Sequence, residues 1–243
     1  MRQRGPVSTS GSEGASAASR RRSRRAPRAA ARPVRDHRKM HEASWSRPKA
    51  VAHLDASDRR LSQDPDRLWR RVGLTLGDTV VDVGAGTGFY AFPAASAVGP
   101  EGRVYAVDIS AELVELVRER SRERDLPNVI SVLSTRTHIP IEDGVADVAI
   151  LANVLHGISP KTVDETVRLL RPGGRLVDVD WKKEETPEGP PVEHRLSVTE
   201  ATSVLASRGL VPVDSFDLGP YHYVVVFERP RPARHPGRLV SAE

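Results

Sequence analysis

Apolar positions along the chain fall into short runs of strand length separated by stretches with helical spacing, and this alternation becomes regular from about residue 74. Val80, Val81 and Val83 are β-branched and close enough together for a strand buried on both faces. Val104 to Asp108 predicts a second strand, Asn128 to Leu133 a third, Val145 to Leu151 a fourth and Arg175 to Asp180 a fifth. Between them a helix is expected after Gly88, running to about Val98, and another capped by Ser110 with Leu113, Leu116 and Val117 on one side. A third begins at Pro160 with Val163, Val167 and Leu170 in helical register, and Arg171-Pro172-Gly173-Gly174 ends it. A helix over Thr199–Ser207, stopped by Gly209, precedes a pair of strands, Val211 to Phe216 and His222 to Phe227. Five strand–helix units followed by a hairpin-like pair predict an α/β fold: a doubly wound, mostly parallel sheet with one antiparallel strand inserted at its end.

The segment ahead of this alternation is helical in pattern. Asp64-Pro65 is a helix start, with Leu68, Trp69 and Val72 on one face. Residues 1–38 differ in kind, being rich in Ser, Ala, Gly and Arg with too little apolar surface for a core, and are expected to be disordered. The same holds for residues 229–243, with Pro230, Pro232 and Pro236. The expected organisation is therefore a tail (1–38), a helical cover (39–73), one catalytic-sized α/β domain (74–228) and a second tail (229–243).

Charge changes this picture in one respect. The formal net charge is +5, but residues 1–39 hold twelve Arg and Lys against two acids, so the remainder is about five charges negative. The Arg-rich, acid-poor tail suits plain solvation, an organellar transit peptide, or a salt-sensitive, sequence-independent contact with nucleic acid. No apolar run approaches the roughly 20 residues of a bilayer span, and the tail lacks the apolar core of a secretory signal, so a cytoplasmic location is expected. There are no cysteines, which excludes disulfides, a thiolate nucleophile and thiol-dependent arsenite chemistry by these residues. The eight histidines are scattered without metal-ligand spacing, so no metal is expected.

The candidate chemistry lies at the end of the first strand, where Asp82-Val83-Gly84-Ala85-Gly86-Thr87-Gly88 turns the chain into a helix. Glycines at alternate positions let a ligand approach the main chain, and a helix start presents free N–H groups. The dinucleotide pattern is G-x-G-x-x-G; here the third glycine comes one position early and Phe89 occupies its place. Asp82 lies two positions before the first glycine, which suits a cationic amine better than a pyrophosphate. Asp108 ends the second strand twenty residues after Gly88, where a carboxylate can accept from both hydroxyls of a ribose.

This pairing resembles the class I S-adenosylmethionine-dependent methyltransferases. Ile139-Pro140-Ile141-Glu142-Asp143-Gly144, Ala152-Asn153-Val154-Leu155-His156 and Leu170-Arg171-Pro172-Gly173-Gly174 resemble their ubiquinone/menaquinone-methyltransferase-like branch, over roughly residues 60–228. The resemblance implies a Rossmann-like seven-stranded sheet with an antiparallel last strand and S-adenosylmethionine across the carboxyl ends of the strands. Asp82, Gly84, Ala85, Gly86 and Gly88 would then lie near its methionine part, and Asp108 and Ile109 near ribose and adenine. Thr135 stands where the family often has an adenine-binding acid, which leaves Thr135 and the main chain of Arg136 as the adenine contacts there, with Asn153 completing the set. His156 is either the base for an acceptor that must lose a proton or a hydrogen-bonded residue at a helix start. His41, Trp45, Trp181, His194 and Tyr221 are the candidate acceptor-binding side chains. The function implied is methyl transfer to a small molecule. An RNA or protein acceptor reached through the Arg-rich tail, and a cofactor-binding subunit without turnover, are the alternatives.

Overall fold

Alternating strand and helix signals resolve, in the computed structural model, into one seven-stranded sheet with the order β3-β2-β1-β4-β5-β7-β6. Residues 51–52, 54–56 and 59–232 are described. The strands are β1 (Thr79–Val83), β2 (Arg103–Asp108), β3 (Val129–Leu133), β4 (Ala146–Ala152), β5 (Leu170–Trp181), β6 (Val211–Leu218) and β7 (His222–Glu228). The helices are α1 (Arg59–Ser62), α2 (Pro65–Val72), α3 (Ala91–Val98), α4 (Ala111–Glu123), α5 (Pro160–Leu169) and α6 (Val198–Ala206), with a short 3₁₀ turn at Val192–His194. Strands β1 to β5 pair in parallel, and β7 lies antiparallel between β5 and β6. The chain moves outward from β1 to β3, then returns to place β4 on the other side of β1. That reversal opens a crevice above the carboxyl ends of β1 and β4.

Each face of the sheet is covered. Val80, Val104, Val148, Ile150, Val177 and Val179 pack with α2 and α3 on one side. Val81, Val83, Ala149, Leu151, Leu176 and Phe227 pack with α5 and α6 on the other. Strands buried on both faces need continuous apolar sequence, which is why β1 and β4 are so legible. In α2 the Asp64 side chain accepts from the N–H groups of Asp66 and Arg67, Pro65 fills the first turn, and Leu68, Trp69 and Val72 are buried as expected. Trp69 donates its indole N–H to the Tyr90 carbonyl at 3.1 Å, fastening α2 to the start of α3.

Three boundaries move. Regular helix begins at Ala91 rather than directly after Gly88, because Phe89 and Tyr90 still belong to the turn. Leu170, read as helical, is the first residue of β5: it pairs with Ala146, and the register then jumps to Val148–Arg175, so Arg171–Gly174 bulges out. Arg229, assigned to the tail, continues the chain's pairing, with its N–H donating to the Gly174 carbonyl at 2.8 Å and its carbonyl accepting from the Gly173 N–H at 2.7 Å. Residues 1–38 and those after Pro232 lie outside the described residues. Among the described residues no helix is long and apolar enough to cross a membrane.

Candidate functional site

Above the carboxyl ends of β2, β1, β4 and β5 lies a cavity of about 300 Å³. Four neighbouring strands at roughly 4.8 Å spacing set its long dimension at about 14 Å between the end strands. Asp82, Gly84, Ala85, Gly86, Asp108, Ile109, Arg136, Asn153, His156 and Trp181 line it, so most of the expected site residues meet in one place. Gly88, Thr135, His194 and Tyr221 are not among the lining residues. His41 and Trp45 lie outside the described residues.

The glycine loop is shaped by contacts a side chain would prevent. Gly84 has φ +78°, and a Cβ there would fall 2.8 Å from Val154 Cγ1, so β1 and the loop after β4 approach only because the side chain is missing. Gly88 acts at one remove: a Cβ would meet the Phe92 ring at 2.4 Å. The Gly84 and Ala85 N–H groups both donate to the Val107 carbonyl, at 2.8 and 2.9 Å, folding the loop over the end of β2.

Two carboxylates face each other across that loop. Asp108 accepts from the Gly86 N–H through one oxygen and from the Ser110 N–H through the other, both at 2.9 Å. Each oxygen keeps a lone pair for a further donor. Asp82 is 2% exposed, and its Oδ2 is buried without a hydrogen-bond partner. Burial, followed by the nearby Asp108 charge, pushes its carboxyl up to about 7. The Arg59 charge and the Ala91 N–H at the start of α3 oppose that rise. Burial likewise raises Asp108, against the three N–H groups of Ser110, Gly86 and Ile109. A buried, acceptor-only oxygen with no donor marks a place for a ligand that brings one.

The cavity's other wall comes from the N-terminal helical segment. Leu54, Ala56, Arg59 and Gln63 line it, and the Arg59 guanidinium lies 3.9 Å from the centre of the Phe89 ring. Gln63 Oε1 accepts from Asn153 Nδ2 at 2.8 Å, from the Tyr90 hydroxyl at 3.3 Å and from Arg59 Nη2 at 3.3 Å. Asn153 itself has φ 58° and leaves Oδ1 buried without a partner. Its backbone N–H donates to the Val179 carbonyl at 2.7 Å, which binds the end of β4 to β5.

At the β5 end, His156 Nδ1 lies 2.9 and 3.1 Å from the two Asp180 oxygens. Burial lowers the pKa of such a ring, but the hydrogen bond and charge of Asp180 outweigh both burial and the Arg195 charge, holding it above the usual 6.5. Trp181 packs 4.1 Å from the His222 ring, and that imidazole, buried without a partner on either nitrogen, is pushed down to about 3 by burial and by the charges of Arg59, Arg195 and Lys182. The loop after β5 is pinned by buried Arg195, which donates to the carbonyls of Lys182, Glu184 and Pro190.

The departures have local causes. Thr135 Oγ1 is used by its own turn, accepting from the Thr137 and His138 N–H groups. His194 is exposed on the 3₁₀ turn while its neighbour Arg195 points inward. Tyr221 sits in the β6–β7 turn, where its carbonyl accepts from the Lys182 N–H. Arg59, Gln63 and Tyr90 were not singled out by sequence. They lie in or beside predicted helices, and no spacing rule distinguishes them from ordinary surface or core residues.

Residues 81–178 match the family model described as "Methyltransferase domain". A crystal structure of a SAM dependent methyltransferase from Aquifex aeolicus shares 33% identity, with a TM-score of 0.72, over 75% of this chain and 98% of that one. The chain belongs to the class I S-adenosylmethionine-dependent methyltransferases. Its cofactor is accordingly S-adenosylmethionine. Among curated methyltransferase relatives, an arsenite methyltransferase of Halobacterium salinarum is 38% identical over 43% of this chain and 27% of its own length. A ubiquinone/menaquinone biosynthesis C-methyltransferase of Ectopseudomonas mendocina is 31% identical over 56% of this chain and 57% of its own. The chain thus spans about a quarter to little more than half of the length of these two methyltransferases.

Proposed function

We propose that this chain moves a methyl group from S-adenosylmethionine to a small, largely apolar acceptor held between the glycine loop and the His156–Trp181 wall. The observation that carries this reading is the cavity itself: one space, of small-molecule size, lined both by the Asp82–Asp108 edge and by His156, which is backed by Asp180. When bound, S-adenosylmethionine supplies a methyl group made electrophilic by its sulfonium. The chain's part is to orient and to exclude water.

Asp82 offers its unpaired oxygen to the cofactor's ammonium group, and the carbonyl-anchored Gly84–Gly86 loop lets that end approach the main chain. Asp108 takes the ribose hydroxyls with its remaining lone pairs, Ile109 and Arg136 flank adenine, and Asn153 lies toward the methionine part. Gly88 contributes through loop shape alone. Leu54, Phe89, Val154, Ile158 and Trp181 make the acceptor's surroundings apolar. That lining supports an aromatic or isoprenoid-like acceptor over an ion, in line with the quinone chemistry named for the Ectopseudomonas relative. The 243 residues contain no cysteine to bind arsenic, which argues against the chemistry named for the Halobacterium relative. In this reading residues 74–228 form the catalytic domain and 39–73 its cover.

Titration calorimetry of the full chain with S-adenosylmethionine and, separately, with NAD tests the cofactor assignment. Micromolar binding of the first alone is expected. An acceptor screen reading S-adenosylhomocysteine formation then tests the acceptor class, and preferential turnover of an RNA or a protein would overturn it.

A further inference from the structure

Among the described residues lining the end of the cavity given above to adenine, none beyond Asp108 carries a carboxylate or a side-chain amide. Ile109 and Leu113 come from around the start of α4, Ser134 and Arg136 from the segment after β3, and Ser159 and Thr162 from the start of α5. The other lining acids lie elsewhere: Asp82 belongs to β1, and Glu188 follows β5, three strands away from β2. The lining amides, Gln63 and Asn153, are engaged with each other at the β4 end.

The acceptors that this wall does own are already used. Thr135 Oγ1 closes its own turn, accepting from the Thr137 and His138 N–H groups. The Arg136 carbonyl takes the Ser159 and Thr162 hydroxyls at 2.7 and 2.8 Å. The His138 carbonyl accepts from the Thr135 N–H at 2.9 Å. Arg168 of α5 donates to the carbonyls of Ile139 and Ile141, each at 2.8 Å, and Glu165 takes the Ile139 N–H at 2.9 Å. The segment is thus tied to α5 at both ends, and turning one of these carbonyls toward a ligand would orphan a donor that is now satisfied. Of the lining side chains, Ile109 and Leu113 are apolar, and the Arg136 guanidinium only donates. The Ser134 hydroxyl donates and accepts equally well, so it does not tell an amino group from its absence as a carboxylate would. Ile109 is 41% exposed, so water reaches this wall.

The geometry points to a cofactor site that reads the purine by shape and not by its 6-amino group, with selectivity carried by the ribose and amino-acid ends. This inference rests on the placement proposed above, with the purine against Ile109, and adds a specificity to it: cofactor analogues altered at the purine 6-position are accepted. A carboxylate facing the amine would make that group worth a charge-assisted hydrogen bond, and an analogue without it would leave a charge unpaired. Here the amine's removal orphans no such group. The ribose end differs in kind, because Asp108 is held in place by the Gly86 and Ser110 N–H groups and has lone pairs that only a ligand hydroxyl would fill.

The test is equilibrium binding to the full chain, with no acceptor and no turnover. The probes are S-adenosylhomocysteine, its analogue with hydrogen in place of the 6-amino group, and its 2′-deoxy analogue. Loss of the amine should weaken binding by less than about fivefold, and loss of the 2′-hydroxyl by about tenfold or more. Ile109→Ala should weaken the first two probes by a common factor of about three to ten, leaving their ratio unchanged. A larger loss than about fivefold without the amine, or a loss as large as that of the 2′-deoxy analogue, overturns the inference. S-adenosylhomocysteine binding that does not move in Ile109→Ala overturns the placement of the purine instead, whatever the ratio in the wild type.

Discussion

Cofactor binding should expel a proton from Asp82, and the amount is calculable. With the carboxyl at about 7 in the free protein and ionised beside a cationic ligand, binding releases about 0.9 proton at pH 6, about 0.5 at pH 7 and about 0.1 at pH 8. Affinity weakens by the matching factor, about elevenfold at pH 6 and about twofold at pH 7 relative to the alkaline limit. Calorimetry in phosphate and in Tris, whose ionisation heats differ, reads the proton count directly. At pH 6, well below the pKa of about 7.7–8.0 of an α-amine, the ligand's own amine stays charged whether residue 82 is Asp or Asn, so the difference between wild type and variant there isolates this carboxyl. The variant should also bind roughly ten- to a hundredfold more weakly at pH 8, where only the wild type offers a charge. Stability runs the other way. Because the folded pKa is raised above the ordinary aspartate value of 3.8, the folded protein holds a proton that the unfolded chain has lost. The ligand-free wild type therefore loses stability as pH rises from about 4 to 7, by up to about 4 kcal/mol, and levels off above that. Asp82→Asn should remove this slope and melt higher at pH 8. A wild-type proton release no different from that of the variant between pH 6 and 7 would refute the reasoning.

Other substitutions probe the surrounding geometry. Gly84→Ala should cost about 1–2 kcal/mol from its left-handed backbone, more from the Val154 contact, and should abolish cofactor binding, as read by thermal melts with and without S-adenosylmethionine. Gln63→Ala removes the shared acceptor of Asn153, Tyr90 and Arg59 and should cost about 1–3 kcal/mol, with faster cofactor dissociation in stopped-flow. Asp178→Asn should flatten part of the stability loss seen as pH rises above the ordinary carboxylate range, since the native carboxyl is held protonated by burial. Denaturant melts at several pH values check it.

Legibility followed burial. Strands β1 and β4 were readable because both faces are buried and nearly every position is apolar, Asp82 and Asp147 being the exceptions inside the runs. The glycine loop was readable because positive φ and close approach leave glycine almost no substitutes. Leu170 misled because an apolar residue one step past a helix satisfies both a 3.6-residue period and the start of a strand. His156 and Asp180 are 24 positions apart, so each could be placed at a strand end while their meeting could not be read. Gln63 gave no sequence signal: its importance comes from three partners, Arg59, Tyr90 and Asn153, brought together by α1, the start of α3 and the end of β4. His194 and Tyr221 lie outside the cavity lining, each in a turn, with the neighbouring Arg195 and His222 buried instead.

The position of β7 has a consequence for how the molecule assembles. It is the last strand among the described residues, yet it occupies the sixth of seven places in the sheet, touching β5 on one side and β6 on the other. Until it arrives, β5 presents a free edge and β6 has no neighbour at all. Strands β6 and β7 form a hairpin across a short turn, whereas β5 and β7 are distant in sequence, so the far end of the sheet should close late, by docking of that hairpin onto β5. Deleting His222–Glu228 removes the one strand that joins β6 to the rest, so a chain shortened there should expose β5 and aggregate through it.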